Sequence, residues 1–449
     1  MSEMAWIVFC CTTALAAAFF LFKKRQFDLL DIALVGALFY FSPLFWGLVL
    51  QSSPEFDSTI PQEVYLIATA YVVALVVAGL IPAAPFEPPR SARDLSGWYL
   101  ALAVAGLAGS LISSKGAIIN ADKVQAMAHV GYFYTTFEIA ASLACISAVI
   151  ERRWLIVVAS VFLLAADLLV GFRVFSVLAA LGVALVLLRQ YGDIRSFTKI
   201  PTYGPAAVLV VVAMLLVHTA RFAIFDQIAA MENAPRVVST SEMRSDTLQY
   251  QRLLTPTNQA APGWLESPFR WLEGPLRLLQ MSEPVVIQAT LAATVKRDLS
   301  CRSSNIFKSI YLLVPPGLGW LVPNPYPPTF YDEYQPILYP GITYGTGGNI
   351  WAEMLCRFGY AGVLIFGVIL IASLIFLRRL LSRVASSAIP PIAFGGVIVA
   401  FYINRNDLNY TLVMLRQVLI VFVLAYGLSI IAAKLQQSGK TPAVIPSGS

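Results

Sequence analysis

The chain alternates between long apolar runs and short polar links. Apolar runs lie near residues 4–22, 28–50, 63–83, 97–113, 126–150, 154–171, 174–190, 203–219, 350–377, 389–404 and 411–433. Most approach the roughly 20 residues that a helix needs to cross the hydrocarbon of a bilayer. In lipid a helix satisfies its own backbone hydrogen bonds, which an open strand does not. The pattern predicts an all-α, polytopic membrane protein of about 11 transmembrane helices. It divides into about eight helices over 1–219, one large loop over 220–349, three helices over 350–433, and a tail over 434–449. Loops of this length inside a compact chain are usually functional. Within it, residues 305–323 are apolar but broken by Pro315 and Pro316, so they predict an interfacial or re-entrant piece. Residues 323–349, rich in Pro, Gly and Tyr, predict an irregular lid or binding loop.

Composition agrees with this picture. The chain is 58% hydrophobic and 12% charged, against about 25% charged for an ordinary globular protein. Its mean hydropathy is +0.72. These values exclude a soluble enzyme, a disordered chain and a peripheral protein with a single anchor. The formal charge of +6 does not point to nucleic acid, because the basic residues fall between apolar runs. Lys23, Lys24 and Arg25 follow the first run, Arg90 and Arg93 the third, and Arg152 and Arg153 the fifth. Arg189, Arg195 and Lys199 follow the seventh, and Arg378, Arg379 and Arg383 the ninth. Every cluster follows an odd-numbered run. The positive-inside rule then sets the N-terminus outside, the C-terminus inside and the loop 220–349 on the extracytoplasmic side. The first run lacks a basic leader and a small-residue cleavage site, and is expected to be a retained span. The five cysteines (Cys10, Cys11, Cys145, Cys301, Cys356) are unpatterned, and predict neither a disulfide framework nor a zinc site.

Ionisable groups in or beside spans are costly, and are functional candidates by default. Arg173 sits in the short outer link between the sixth and seventh runs, and Arg405 in that between the tenth and eleventh. Arg416 lies inside the last run, roughly 9 Å deep at about 1.5 Å per residue. Glu353 stands at the outer start of the ninth run, just after a glycine-rich stretch. Each also has a structural alternative. Arg173 and Arg405 could snorkel to headgroups, Arg416 could pair with Glu138 or Asp167, and Glu353 could pair with Arg357 one turn on. The functional reading is that guanidinium forks grip phosphate in two-point fashion. Other patterns fail. SGKT at 438–441 lacks the first glycine of a phosphate loop, and Gly345, Gly347 and Gly348 complete no dinucleotide fingerprint. His129 and His218 are too few and too separated for zinc, and Glu55 with Asp57 reads as a solvated loop. Trp264, Trp271 and Trp320 suit either sugar stacking or an interfacial belt.

The outer loop ends in a proline-broken apolar piece, then a Tyr/Pro stretch. Next comes a string of Gly345, Gly347, Gly348, Asn349, Glu353, Phe358, Gly359 and Gly362 at the head of a span. With Gly171 and Arg173 at an outer link and Arg405 and Arg416 near the last span, this order of features over residues 100–433 resembles the O-antigen (oligosaccharide repeat-unit) polymerases. The resemblance implies a fold of the GT-C glycosyltransferase type in the inner membrane of Gram-negative bacteria, with its site facing the periplasm and no metal or other cofactor. It implies transfer of a growing glycan from one polyprenyl diphosphate to the non-reducing end of a new lipid-linked repeat unit. Implied partners are polyprenyl-diphosphate-linked oligosaccharides, the lipid bilayer and, as a candidate, a chain-length regulator. On this reading Arg173, Arg405 and Arg416, with Asn349, bind substrate. Glu353 is the first candidate for the proton-accepting carboxylate and Asp332 the second. An O-antigen ligase would carry a histidine in the large outer loop, and none follows His218. A lipid-linked oligosaccharide flippase would show two related halves, which this chain does not.

Overall fold

The computed structural model describes residues 2–22, 27–46, 60–82, 94–116, 131–170, 172–191, 283–314, 328–338 and 348–438. The apolar run at 203–219, the loop from 220 to 282, Pro315 and Pro316, Gly171, Gly345 and Gly347 lie outside the described residues. Among the described residues every regular element is helical. They are α1 (Ser2–Phe22), α2 (Leu29–Tyr40), α3 (Ser42–Trp46), α4 (Gln62–Leu80), α5 (Ser96–Ser113), α6 (Tyr132–Glu151) and α7 (Trp154–Val170). After these come α8 (Val174–Tyr191), α9 (Glu283–Lys296), α10 (Ser304–Ser309), α11 (Phe330–Leu338), α12 (Ile350–Leu381), α13 (Ile389–Ala400) and α14 (Leu408–Ser438).

Seven of the described helical segments are long and apolar enough to cross a membrane, the build of a polytopic membrane protein. The predicted runs at 28–50, 154–171 and 174–190 appear as shorter apolar helices. The first of these stops at Phe41, before the separate short helix α3, which contains Pro43. Helix α6 and the segment Ser386–Asn404 are 72% buried and form the centre, whereas α12 and α14 are 22% buried. On α12, Leu364, Ile365 and Val368 stay exposed, as do Leu419 and Val423 on α14. Exposed aliphatic stripes of this length suit hydrocarbon and are rare on soluble monomers.

Two sets of polar ties join helix ends on opposite faces of the bundle. On one face Arg378 Nη1 pairs with Asp28 Oδ2 at 3.2 Å, and its Nη2 donates to the Ile81 and Pro82 carbonyls. Arg189 Nη2 reaches the Arg378 carbonyl at 3.4 Å. Also at helix ends that follow odd-numbered runs, Arg153 pairs with Asp94, and Glu151 Oε1 accepts from the Leu95 N–H at 2.9 Å. We call this the basic face. Arg378 belongs to a predicted loop cluster, yet it is 2% exposed and works as a bolt between four helix ends.

The opposite, loop face carries the end of the long loop. Residues 283–296, predicted as part of that loop, instead form α9, whose Val285, Ile287 and Leu291 are buried against α2, α3, α4 and α12. The sequence EPVVIQATLAATVK is apolar but too short to cross lipid, so it docks into the bundle. Gln288 Nε2 donates to the Tyr40 carbonyl at 3.0 Å where α2 ends. Helix α10 runs into a 3-10 turn at Ile310–Leu313, and the rest of the predicted proline-broken piece, residues 315–323, lies outside the described residues.

The cysteine reading needs correcting. Cys301 and Cys356 are joined by a disulfide with Cα atoms 5.1 Å apart, and the Cys301 N–H donates to the Cys356 carbonyl. It pins the link after α9 to the first turns of α12. A separation of 55 residues carries no spacing signature, so only the packing of α9 against α12 reveals the pair. Helix α14 continues to Ser438, past the predicted boundary at 433.

Candidate functional site

The glycine-rich string at the head of α12 builds a clasp. Asn349 is the N-cap of α12, and its side-chain oxygen accepts from the Trp351 and Ala352 N–H groups. Its Nδ2 donates to the Ile287 carbonyl at 3.1 Å, so the cap also grips α9. The residue is fully buried, which makes Asn349 a tie between helices where the resemblance implies a substrate ligand. Gly348 packs against the link between α13 and α14. A Cβ there would stand 2.5 Å from the Asp407 backbone nitrogen.

Glu353 closes the clasp. Its Oε1 accepts from Arg357 Nε at 3.0 Å, and its Oε2 accepts from the Leu408 N–H at 2.7 Å. The side chain has no exposed surface. With both oxygens engaged and no path to solvent, Glu353 does not meet an acceptor hydroxyl in this conformation. The structural alternative, the pair with Arg357, is what forms. Arg357 also pairs with Glu333 Oε2 at 3.2 Å and donates to the Arg302 carbonyl. Asp332 is exposed and closes a reciprocal cap at the start of α11. Its Oδ2 accepts from the Thr329 N–H, and its own N–H donates to Thr329 Oγ1.

The clasp holds the α13–α14 link, and that link carries Arg405. Arg405 is half-buried, donates to the Tyr402 hydroxyl and lies 5.1 Å over the Tyr402 ring. Burial lowers its guanidinium below the ordinary arginine value. Tyr40 and Tyr410 act the other way, and Arg173 adds to the lowering. An arginine stays charged through a shift of this kind. Arg173, exposed in the α7–α8 link, and Arg405 are both within electrostatic reach of the Tyr40 side chain. Two of the three predicted arginines therefore stand within electrostatic reach of each other at the loop face, with Tyr402 in contact with Arg405 and Tyr40 and Tyr410 within its reach. The third, Arg416, is half-buried further along α14, and its Nη1 donates to the Val314 carbonyl at 3.1 Å. It ties α14 to the 3-10 turn after α10. Asp407, next to Arg405 in the link, accepts from the Tyr410 N–H at 2.9 Å. Burial raises its carboxyl, against the lowering effect of that N–H and of Arg357.

Sequence reasoning missed a pair of buried carboxyls within electrostatic reach of these tyrosines. Glu138 on α6 and Asp167 on α7, considered only as partners for Arg416, instead face each other in a side-chain hydrogen bond. Asp167 Oδ1 also accepts from the Tyr134 hydroxyl at 2.5 Å. Glu138 lies within electrostatic reach of both Tyr402 and Tyr410. The available signal was that these two carboxyls lie inside otherwise apolar runs. A separate cleft of about 280 Å³ opens beside the disulfide, lined in part by Arg302, Asn305 and Glu333. Comparison with protein-family models, curated proteins and solved structures finds no match to this chain.

Proposed function

We propose that this protein is a membrane glycosyltransferase that polymerises lipid-linked oligosaccharide repeat units into O-antigen or a related surface polysaccharide. It works on the periplasmic face of a bacterial inner membrane. The growing glycan moves from one polyprenyl diphosphate to the non-reducing end of a newly delivered repeat unit. The observation that carries this reading is that Arg173 and Arg405, drawn from links far apart in the chain, stand within electrostatic reach of each other at one face of an apolar bundle.

As the glycosidic bond to phosphate breaks, negative charge gathers on the leaving diphosphate. Fixed guanidinium groups in a partly dehydrated pocket stabilise that charge where it develops. Arg405 is preorganised for this by the Tyr402 ring and hydroxyl, and by the clasp through Gly348, Asn349 and Glu353. Arg416 acts at one remove, by holding the turn at Val314. Two features favour the periplasmic face. The Cys301–Cys356 disulfide lies on the same side as the pocket, and such bonds persist in oxidising compartments. The basic links lie on the opposite side, as the positive-inside rule requires of a cytoplasmic face.

Purified full-length protein in vesicles, given two lipid-linked repeat units and no other energy source, should form a glycosidic bond. Arg173→Ala and Arg405→Ala should each slow that reaction about 10²-fold or more, the usual effect of removing one transition-state donor, while remaining inserted in the membrane. Long-chain glycan of normal length from both variants would remove the arginine clamp from the mechanism.

A further inference from the structure

The reaction has to place a proton. The acceptor hydroxyl loses one as its oxygen bonds to the anomeric carbon, and the electron pair of the breaking C–O bond leaves with the diphosphate. Neither predicted carboxylate suits this task well. Glu353 is sealed by Arg357 and Leu408, and Asp332 Oδ2 is engaged in capping α11.

We infer that the Glu138–Asp167 pair is the proton acceptor of this site, a role that rests on the polymerase reading. Asp167 has no exposed surface and Glu138 is 4% exposed. Asp167 Oδ1 is taken by the Tyr134 hydroxyl. Among the described residues no backbone or side-chain donor reaches the buried Asp167 Oδ2. Only a proton on the facing Glu138 carboxyl completes it. Two carboxyls joined by a hydrogen bond contain at least one proton between them, since an ionised carboxylate has no donor. With Asp167 accepting at one oxygen from Tyr134 and at the other from Glu138, that proton lies on Glu138 and Asp167 is ionised. The pair therefore holds one negative charge and can take up one further proton.

Its surroundings suit that role. Glu138 reaches Tyr402 and Tyr410 electrostatically, and those two hydroxyls hydrogen-bond to each other. Tyr410 is 45% exposed at the loop face, and Arg405 donates to the Tyr402 hydroxyl. The phenols thus link Arg405 to the surroundings of the buried pair. A proton leaving the acceptor hydroxyl passes by way of Tyr410 and Tyr402 to the carboxyls, and the product bond forms as the diphosphate departs. Among the described residues, the titratable groups that interact with the pair are Tyr134 on α6, Tyr402 in the link and Tyr410 on α14, and around these phenols stand Arg405, Tyr40, Arg173 and Asp407. The other helices packed on α6 at this level, α5 and α13, contribute no charged side chain.

The test uses the full-length protein in vesicles. Glu138→Gln, Asp167→Asn and the double variant keep the shape of the pair and a hydrogen bond. Each should bind a polyprenyl diphosphate as wild type does, yet form glycosidic bonds at least about 10²-fold more slowly, the usual scale for a lost general base. Infrared spectra at neutral pH should show a protonated carboxyl band in wild type that the double variant lacks. Active wild type with equally active variants, or with no such band, overturns the inference and leaves the polymerase reading standing. Wild type that makes no glycosidic bond overturns both. A rate loss matched by loss of folded protein assigns the pair a purely structural role, and likewise overturns the inference.

Discussion

Glu353 is a buried carboxyl, each of whose oxygens has a partner within the fold. Replacing it with alanine leaves the Leu408 N–H without its acceptor and removes one of the two carboxylates that neutralise Arg357. Breaking a buried pair by deleting one partner costs about 3–5 kcal/mol. Because Glu333 remains within 3.2 Å of Arg357, the loss for Glu353→Ala is expected near the lower end of that range. Glu353→Gln should lose less, since an amide oxygen still accepts from Leu408. Unfolding of the two variants in detergent measures the difference, and equal destabilisation would contradict the assignment. The sequence did suggest the Arg357 pair as an alternative, because the residues stand one helical turn apart. It did not indicate Leu408, 55 residues away, because a helical period relates near neighbours only.

At the scale of elements, the head of α12 is a joint. Gly348 allows the backbone to touch the α13–α14 link, and Gly359 takes φ 64°, a region favourable to glycine, where α12 kinks. A Cβ at residue 348 meets backbone, which cannot swing aside as a flexible side chain would. Gly348→Ala should therefore push the link that carries Arg405. A displacement of about 1 Å at a reacting centre costs on the order of 10²-fold in rate. On the proposed polymerase function, the variant should insert normally yet make short glycan, as a gel of the product would show. The disulfide is a second joint. For a closed loop of 55 residues the chain-entropy relation gives about 4 kcal/mol. Cys301→Ser should lower the stability of the folded protein by an amount of that order, and reductant should do the same to wild type but not to the variant. The hydrophobic pattern exposed the long helices, because burial leaves a mark on every residue of a run. It left no mark on which runs become neighbours. Thus the Cys301–Cys356 bond, the Glu138–Asp167 pair and the docking of α9 became visible only with the packing.

Over the whole molecule, ties at helix ends segregate into two sets. Asp28, Ile81, Arg189 and Arg378 meet on one side, each at or just past the end of an odd-numbered apolar run. Tyr40, Gln288, Asn349, Glu353 and Leu408 meet on the other. A miscount of one run between Asp28 and Arg189 would mix these sets, since each crossing exchanges the faces. The charge alternation in the sequence and the packing of helix ends thus constrain the same quantity by different physics. One follows from insertion, the other from hydrogen bonding and burial. Together they predict the sidedness of any exposed position. Asp332 is exposed on the loop-face helix α11, and Arg153 is exposed at the basic-face end of α6. In a background with the free cysteines replaced and Cys301–Cys356 kept, Asp332→Cys should react with a membrane-impermeant maleimide added to cells whose outer membrane has been made permeable. Arg153→Cys should react only after the inner membrane is opened. The reverse pattern would turn Arg173 and Arg405 toward the cytoplasm, which the proposed function does not allow. Equal labelling of both positions in intact inner membranes would place the two faces on one side of the bilayer, and the bundle would not span it in this orientation.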